Sequence, residues 1–156
     1  MGEEKLIGSY KAALDKGGRL KIPERFRAII QERYGSRLFI TSLDDEAVRV
    51  FPLPVWEEMT DTSEKGLAYI RPTYRNFFLR AHRRGGVGEI DAKGRVLLNP
   101  RLREKMGLKD DVEVVGMNNH LEVWDPERLD AKLDQKPLTI DDLEKFAALA
   151  SDRKSE

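Results

Sequence analysis

The sequence predicts a mainly β fold with short helices (α+β), formed by two copies of one unit. Residues 14–27 match residues 90–103 without a gap at an offset of 76, and Asp, Gly and Arg coincide in the two copies. Short apolar stretches alternate with glycine-bearing turns, a pattern typical of strands joined by tight turns. The chain has 156 residues, so two such units nearly fill it.

The composition excludes several classes of site. There is no cysteine, which rules out a disulfide framework, a thiolate zinc site and a cysteine nucleophile. The apolar runs are only a few residues long, which is too short for a membrane-spanning helix. The first residues, Met-Gly-Glu-Glu-Lys, contain no apolar signal segment. We therefore expect a cytoplasmic protein with no membrane partner.

The net charge of zero conceals a segregation of charge along the chain. Residues 1–36 have a balance of +3, and residues 64–109, with twelve basic and four acidic side chains, have a balance of +8. Residues 37–63 and 110–156 have balances of −4 and −7. If folding gathers the basic blocks on one face, that face attracts polyanions such as nucleic acid. If each basic block instead pairs with an acidic block, no such basic face forms.

The first copy predicts two strands, a helix and a hairpin. Strands are expected over residues 9–14 and 20–22, joined by a turn in which Gly17-Gly18 can take positive φ. Pro23 suits the first position of a helix, and Gly35 ends it. A hairpin of residues 38–41 and 47–51 follows.

The second copy repeats this order. Strands are expected over residues 87–90 and 96–98, on either side of Gly94. Asn99 is a favourable N-cap for a helix that begins at Pro100 and ends at Gly107. The hairpin comprises residues 112–115 and 121–124 and turns at Asn118-Asn119. At the two hairpin-to-helix junctions, we expect Trp56 and Trp124 to be core residues.

Two further helices are predicted outside the copies. Within residues 71–81, the apolar side chains recur at helical spacing and form one face. Near the C-terminus, Thr139 and Asp142 form a variant of the capping box, and the apolar residues after Thr139 again share one face. The two apolar faces comprise Tyr74, Phe77, Phe78 and Ala81, and Ile140, Leu143, Phe146, Ala147 and Ala150.

The repeated turn contains the residues with the clearest chemistry. In each copy an Asp stands four residues before an Arg across the glycine-bearing turn, so that the carboxylate can hold the guanidinium in one orientation. Arg can bind a guanine edge or a phosphate with two parallel hydrogen bonds. Asp15–Arg19 and Asp91–Arg95 are therefore either DNA contacts or turn-stabilising ion pairs. Two identical sites favour DNA, because a repeated polymer can engage both.

These residues resemble the MraZ family, a tandem form of the AbrB-like DNA-binding domain. The resemblance rests on Asp-x-x-x-Arg within Leu-Asp-Lys-Gly-Gly-Arg-Leu-Lys-Ile-Pro and again within Ile-Asp-Ala-Lys-Gly-Arg-Val-Leu-Leu. Trp56, the helix of residues 71–81, Val115-Gly116 and residues 121–125 support it. It covers residues 6–130.

The resemblance implies two intertwined AbrB-like β-α-β-β repeats that form a pseudo-twofold double-split barrel. It divides the chain into a first repeat (6–60), a connecting helical segment (61–81), a second repeat (82–134) and a helical C-terminal extension (135–156). It also implies a ring-shaped homo-oligomer that is associated with the nucleoid and binds repeated promoter boxes in double-stranded DNA. Its expected role is transcriptional control of the division and cell-wall gene cluster.

The resemblance also implies that the two turns face DNA. In the first turn Lys16 directly follows Asp15, and Gly17 stands where the family has Lys, whereas Lys93 keeps the family spacing. The residues expected to contact DNA are Asp15, Lys16, Arg19, Asp91, Lys93 and Arg95. Further phosphate contacts are expected from Lys21, Arg71, Arg75, Arg83 and Arg84.

Other candidate sites do not match the chemistry they would need. His82 and His120 have no partner at metal-ligand spacing, residues 85–88 precede no Lys-Ser/Thr, and residues 44–46 supply too few oxygen ligands for calcium. We therefore expect no metal, cofactor, small-molecule substrate or catalytic activity. Two functions remain open: a DNA-binding regulator, and a protein-interaction scaffold or antitoxin-like module with the same fold. The positive charge near both turns favours the regulator.

Overall fold

The computed structural model describes residues 4–61 and 71–154. The chain divides into two compact units, Met1–Pro126 and Glu127–Glu156. Residues 62–70, which belong to the expected connecting segment 61–81, lie outside the described residues. Within the described ranges, no helix combines the length and apolar character needed to span a bilayer.

The first repeat contains the expected elements in the expected order. Its first glycine-bearing turn has Gly18 at φ +85°, and its first helix ends at Gly35 with φ +92°. Both glycines therefore occupy the left-handed region that other residues avoid. The elements are β1 (Ser9–Ala13), β2 (Arg19–Lys21), α1 (Glu24–Tyr34), β3 (Arg37–Thr41), β4 (Val48–Pro52) and α2 (Leu53–Met59).

The second repeat has the same order. Asn99 caps its helix, since the Asn99 side-chain oxygen accepts a hydrogen bond from the Arg101 backbone N–H at 2.8 Å. Pro100 is the first helical residue, which confirms the predicted start. The elements from the connecting helix onward are α3 (Pro72–Arg84), β5 (Gly86–Glu89), β6 (Arg95–Leu97), α4 (Pro100–Lys105), β7 (Asp111–Gly116), β8 (Leu121–Trp124) and α5 (Pro126–Gln135).

The last helix, α6 (Ile140–Lys154), begins at the predicted capping box. The Thr139 backbone N–H donates to the Asp142 carboxylate, and the Asp142 backbone N–H donates to the Thr139 hydroxyl, each at 3.1 Å. Two N–H groups at the helix start are thereby satisfied reciprocally. The helix predicted after the capping box is confirmed.

Strand pairing intertwines the two repeats. Six strands form an antiparallel sheet in the order β1-β7-β8-β4-β3-β5, and β2 pairs with β6 in a separate two-stranded sheet. The first strand of each repeat thus pairs with the hairpin of the other, β1 with β7 and β5 with β3. If each strand is replaced by its equivalent in the other repeat, the same strand order is obtained, read from the opposite edge of the sheet. The described strands form these two sheets and not one closed barrel.

A pseudo-twofold axis passes through both sheets. In the small sheet Leu20 lies opposite Val96, which is its own equivalent 76 residues later. In the large sheet Arg49 lies opposite Glu122, at the offset of 73 that relates the hairpins. Residues near the axis therefore lie opposite their own equivalents in the other repeat. The two glycine-bearing turns are related to each other by the same axis.

Apolar side chains pack on both faces of the large sheet. On one face, Leu38 and Ile40 join Leu20 and Val96 of the small sheet in the main core, with buried residues of α1 and α4. Burying each large apolar side chain stabilises the fold by about 1.5–3 kcal/mol. The other members of this core include Ile22, Phe26, Ile30, Leu98, Leu102 and Met106. Trp56 and Trp124 are buried, as predicted.

Helix α3 packs on the opposite face of the large sheet. Successive residues of a strand point to opposite faces, and Phe39 packs with Trp56 and Ala81 in a second buried cluster. The Thr41 hydroxyl donates to the Ala81 carbonyl at 2.7 Å and fixes the helix there. The large sheet therefore separates α3 from the small sheet and its turns.

Candidate nucleic-acid interface

The first Asp-x-x-x-Arg turn joins β1 to β2. The Gly18 N–H donates to the Asp15 carbonyl and the Asp15 N–H donates to the Arg19 carbonyl, each at 3.0 Å. One oxygen of the Asp15 carboxylate accepts the Arg19 backbone N–H at 2.9 Å. The carboxylate therefore closes the turn through the backbone of Arg19 and leaves its guanidinium free of that bond.

The second turn, between β5 and β6, has the same hydrogen bonds. The Gly94 N–H donates to the Asp91 carbonyl, and the Asp91 N–H donates to the Arg95 carbonyl, both at 2.9 Å. An Asp91 carboxylate oxygen accepts the Arg95 backbone N–H at 2.9 Å. Gly94 has φ +81°, close to the value at Gly18. The repeated sequence thus forms one geometry twice.

These hydrogen bonds lower the pKa values of the two turn carboxylates. The pKa of Asp15 is lowered, chiefly by the Arg19 backbone N–H, and the nearby guanidinium groups of Arg95 and Arg19 add to the effect. The pKa of Asp91 is lowered in the same way, first by the Arg95 backbone N–H and then by the Lys93 N–H and the Arg95 side chain. Both carboxylates therefore stay ionised to a lower pH than an ordinary Asp does.

The small sheet places the two turns side by side. The Leu98 N–H donates to the Gly18 carbonyl, and the Ile22 N–H donates to the Gly94 carbonyl, each at 3.0 Å. Each turn is therefore hydrogen-bonded to the residue directly after the strand that follows the other turn. The sequence alone predicts both turns, whereas these bonds between residues 72 to 80 positions apart are visible only in the fold.

The two turn arginines differ in their surroundings. Arg95 Nε lies 3.2 Å from an Asp91 oxygen, and Arg95 Nη1 lies 3.3 Å from an Asp15 oxygen. Arg19 is exposed and forms no salt bridge with a residue of the described ranges. The expected side-chain pair is present for Asp91–Arg95. For Asp15–Arg19 that expectation is wrong, because the second oxygen of Asp15 faces Arg95.

Arg27 and Arg103 were not identified from the sequence, yet each lies against the turn of the other repeat. A methyl group on Gly18 would come within 2.6 Å of the Arg103 guanidinium carbon, and one on Gly94 within 2.9 Å of Arg27 Nη1. Arg27 also donates to the Ala92 carbonyl at 3.3 Å. Both arginines occupy the last position of the sequence repeat, a signal that could have identified them.

The predicted lysines occupy different environments. Lys16 and Lys93 are exposed at the two turns, where their ammonium groups can reach an anion. Lys21 is exposed too, but its ammonium group donates to the Lys93 carbonyl and helps to hold the second turn. Lys16, Lys93 and Arg19 are therefore the most available cations of the two turns.

The predicted phosphate contacts on α3 are not brought together with the turns. Arg71, Arg75 and Arg83 are exposed at or on α3, on the other face of the large sheet from the turns. Arg84 is half-buried and pairs with the Asp45 carboxylate of the β3–β4 hairpin. One rigid duplex that touches both turns would therefore not meet this group on the same protomer.

Known proteins are similar to this chain over most of its length. A family model described as "MraZ protein, putative antitoxin-like" matches residues 87–147. A protein of Acidobacterium capsulatum named "Transcriptional regulator MraZ" is 38% identical over 143 residues, which cover 90% of this chain and 95% of the relative. The chain belongs to the MraZ family. This family identification confirms the one drawn from the repeated motif.

Further MraZ relatives align over most of their length. A "Transcriptional regulator MraZ" of Herpetosiphon aurantiacus is 32% identical over 90% of this chain and 97% of its own. One of an Acidovorax species is 35% identical over 80% of this chain and 85% of its own. The chain is thus a member of a family of transcriptional regulators.

His120 and Asp44, which the sequence offers as candidate site residues, pack or pair with neighbouring side chains. His120 stacks on Phe51 with ring centroids 4.7 Å apart, and burial, together with the charge of Arg49, lowers its pKa to about 4. Asp44 pairs with Arg49 at 2.9 Å. Among the residues that the structure describes, no three His, Asp or Glu side chains are grouped to hold a metal ion.

Proposed function

We propose that this chain is a sequence-specific, double-stranded DNA-binding regulator whose two Asp-x-x-x-Arg turns contact repeated promoter boxes. It acts as a ring-shaped homo-oligomer on the nucleoid, and its target is the division and cell-wall gene cluster. The DNA contacts are Lys16, Arg19, Lys93 and Arg95, while Asp15 and Asp91 hold the turns in shape.

The observation that carries the proposal is the pairing of two cation-bearing turns through β2 and β6. Arg19 can place two hydrogen bonds on a guanine edge, and the lysines can contact phosphates. Arg27 and Arg103 add positive charge directly behind the glycines of the turns. Because hydrogen bonds order the turns in advance, less conformational entropy is lost on binding than with flexible loops.

Oligomerisation supports this function energetically. Two short turns bury too little surface for tight specific binding by one protomer. When linked protomers contact successive boxes, the effective concentration of each later contact rises and the affinities combine. The names of the relatives agree with a role in transcription.

The second candidate function is a protein-interaction scaffold or antitoxin-like module, which the description of the matching family model favours. A scaffold does not require exposed cations on two adjacent turns. Selection of binding sites from random duplex DNA separates the two functions. We expect a short repeated box to be enriched at moderate salt.

The control is a variant whose charge change lies away from the turns. Arg80 is exposed on α3, on the opposite face of the large sheet, so Arg80→Ala removes one positive charge and should select the same box. Arg19→Ala combined with Arg95→Ala should select none. Failure of the wild-type protein to enrich any sequence, even at low salt, would exclude the regulator and leave the scaffold.

A further inference from the structure

Helix α3 has an apolar surface that the rest of the described fold does not cover. Tyr74 is 47% exposed and Leu79 is 51% exposed, although the neighbouring Ala81 is fully buried against the sheet. A shallow cleft of about 430 Å³ runs along this surface. It is lined by Arg75, Phe78, Leu79, His82 and Arg83, which we call the α3 surface.

The charge of this surface has one sign. Helix α3 contains four arginines and no acidic residue. Arg84 is paired with Asp45, whereas Arg75 and Arg83 flank the cleft. A partner that fits must therefore be apolar at its centre and acidic at its margins. A second α3 does not fit, because it would bring like charges together.

The same chain has a surface of the complementary kind on α6. Ile140, Leu143 and Phe146 are between 57% and 76% exposed. At 100° per residue they lie on one stripe with Ala147 and Ala150. Asp142 and Glu144 fall on the two flanks of this stripe, which we call the α6 stripe. Its aromatic member, Phe146, suits a cleft lined by arginines, since guanidinium groups stack on aromatic rings.

We propose that the α3 surface of one copy of this chain binds the α6 stripe of a second copy. Charge complementarity identifies the occupant: a cleft flanked by Arg75 and Arg83 faces a stripe flanked by Asp142 and Glu144. The contact joins two different surfaces, so a pair of copies still offers one free α3 surface and one free α6 stripe. Such a head-to-tail contact continues from copy to copy and closes into a ring when the rotation allows.

This inference deepens the oligomeric part of the proposed function and rests on it. It also gives Arg75 and Arg83 a role that fits their place on the opposite face of the sheet from the turns. In the assembled ring, the turns remain available to DNA while α3 is occupied by protein.

Cysteine cross-linking tests the contact directly, because the natural chain has no cysteine. Leu79→Cys and Leu143→Cys are placed in two chains with different tags and mixed under mild oxidation. We expect a disulfide between the two tagged chains. Such a bond requires Cα atoms within about 7 Å, so its formation would show that the two helices are in contact. Ala148→Cys, which is exposed on the far side of α6, is the matched control and should cross-link poorly with Leu79→Cys.

Light scattering measures the consequence for assembly. Leu79→Asp and Phe146→Asp should each reduce the oligomer to smaller species, with melting temperature unchanged, and Ala148→Asp should leave its mass intact. Arg83→Glu should also disassemble the oligomer, and mixing it with Glu144→Lys chains should restore larger species. That restoration separates a broken contact from a misfolded variant.

Three results would overturn the inference: a monomeric wild-type protein, variants that keep the wild-type mass, or cross-links confined to the two helices of one chain. DNA binding is scored separately on a single box. If the interface variants lose assembly but the wild-type protein binds no DNA, the proposed function is rejected and this interface is retained. If the wild-type protein binds DNA but the interface variants keep their oligomer, this interface is rejected and the proposed function is retained.

Discussion

Arg95 of the second repeat reaches Asp15 of the first, with Nη1 3.3 Å from a carboxylate oxygen. The same guanidinium contacts Asp91 of its own turn at 3.2 Å. One side chain therefore links the two turns across the pseudo-twofold axis. Arg19, its equivalent, makes no such link within the described residues, so the link is formed from one repeat only, although the backbones of the two turns are alike.

The first prediction concerns these two arginines. Arg19→Ala should change the free energy of unfolding by about 0.5 kcal/mol or less, because Arg19 is exposed and forms no salt bridge with a described residue. Arg95→Ala should cost up to about 1 kcal/mol, the range of exposed ion pairs. Each should weaken specific DNA binding by about 1–3 kcal/mol per site, and Arg95→Ala more, because it also loosens the link between the turns.

Urea unfolding and a gel shift on each variant check this prediction. Arg95→Lys is the informative companion, since an ammonium group keeps the charge but cannot bridge two carboxylates in the manner of a guanidinium. If both alanine variants unfold, the two arginines are structural. If both stay folded and bind the selected box normally, the DNA contacts lie elsewhere.

The second prediction concerns salt. Several protomers, each with exposed Lys16, Arg19 and Lys93, should make several phosphate contacts. A plot of log affinity against log salt concentration should then have a slope of several units. Lys16→Ala should reduce this slope by about one per engaged protomer, whereas Arg80→Ala, on the opposite face, should leave it unchanged. Binding that persists with a slope near zero would contradict the electrostatic interpretation.

The third prediction separates backbone strain from the position of Arg103. Gly18→Ala and Gly35→Ala both force an L side chain into positive φ, at +85° and +92°. Each should therefore lower the free energy of unfolding, by more than about 1 kcal/mol. Only at Gly18 does the new methyl group meet the Arg103 guanidinium, at 2.6 Å, whereas at Gly35 it enters open space.

Gly18→Ala should therefore weaken DNA binding, and Gly35→Ala should not. Differential scanning calorimetry and a gel shift on the two variants give the comparison. Adding Arg103→Ala to Gly18→Ala should lower affinity little further, because the guanidinium is already displaced. Fully additive losses would show that Arg103 acts independently of the turn.

The fourth prediction concerns pH. Burial lowers the pKa of His120 to about 4 from an ordinary value of 6.5. Between these values the unfolded chain binds a proton that the folded chain does not, so stability falls as the pH falls from about 6.5 towards 4. The lowered pKa values of Asp15, Asp44 and Asp91 act at lower pH, since their contribution is lost only as the pH falls through those values.

Urea unfolding at pH 7 and pH 5 measures this effect. His120→Phe keeps a ring against Phe51 but cannot titrate, so it should lose less stability between the two pH values than the wild-type protein. His82→Gln is the matched control, because His82 is exposed on α3, and it should retain the wild-type dependence. Equal losses in the wild-type protein and His120→Phe would show that another group titrates.

The local structure of this protein follows from its sequence. Gly18 and Gly94 have positive φ, Asn99 caps α4, and Thr139 with Asp142 caps α6, all as predicted. In each case the hydrogen-bond partners or the required φ lie within about four residues. Residue type and spacing therefore suffice to specify the geometry. The internal repeat likewise predicts that both halves share one fold and one turn.

Only the tertiary structure decided which groups meet across the repeats. The exchange of first strands, the contact of Arg95 with Asp15 and the position of Arg27 behind Gly94 join residues more than 40 positions apart. The face of the sheet that α3 covers was decided in the same way. The apolar pattern of a strand specifies which of its faces is buried, but not which strand pairs with its edge. That choice depends on the packing of the whole core, and it places the two turns side by side.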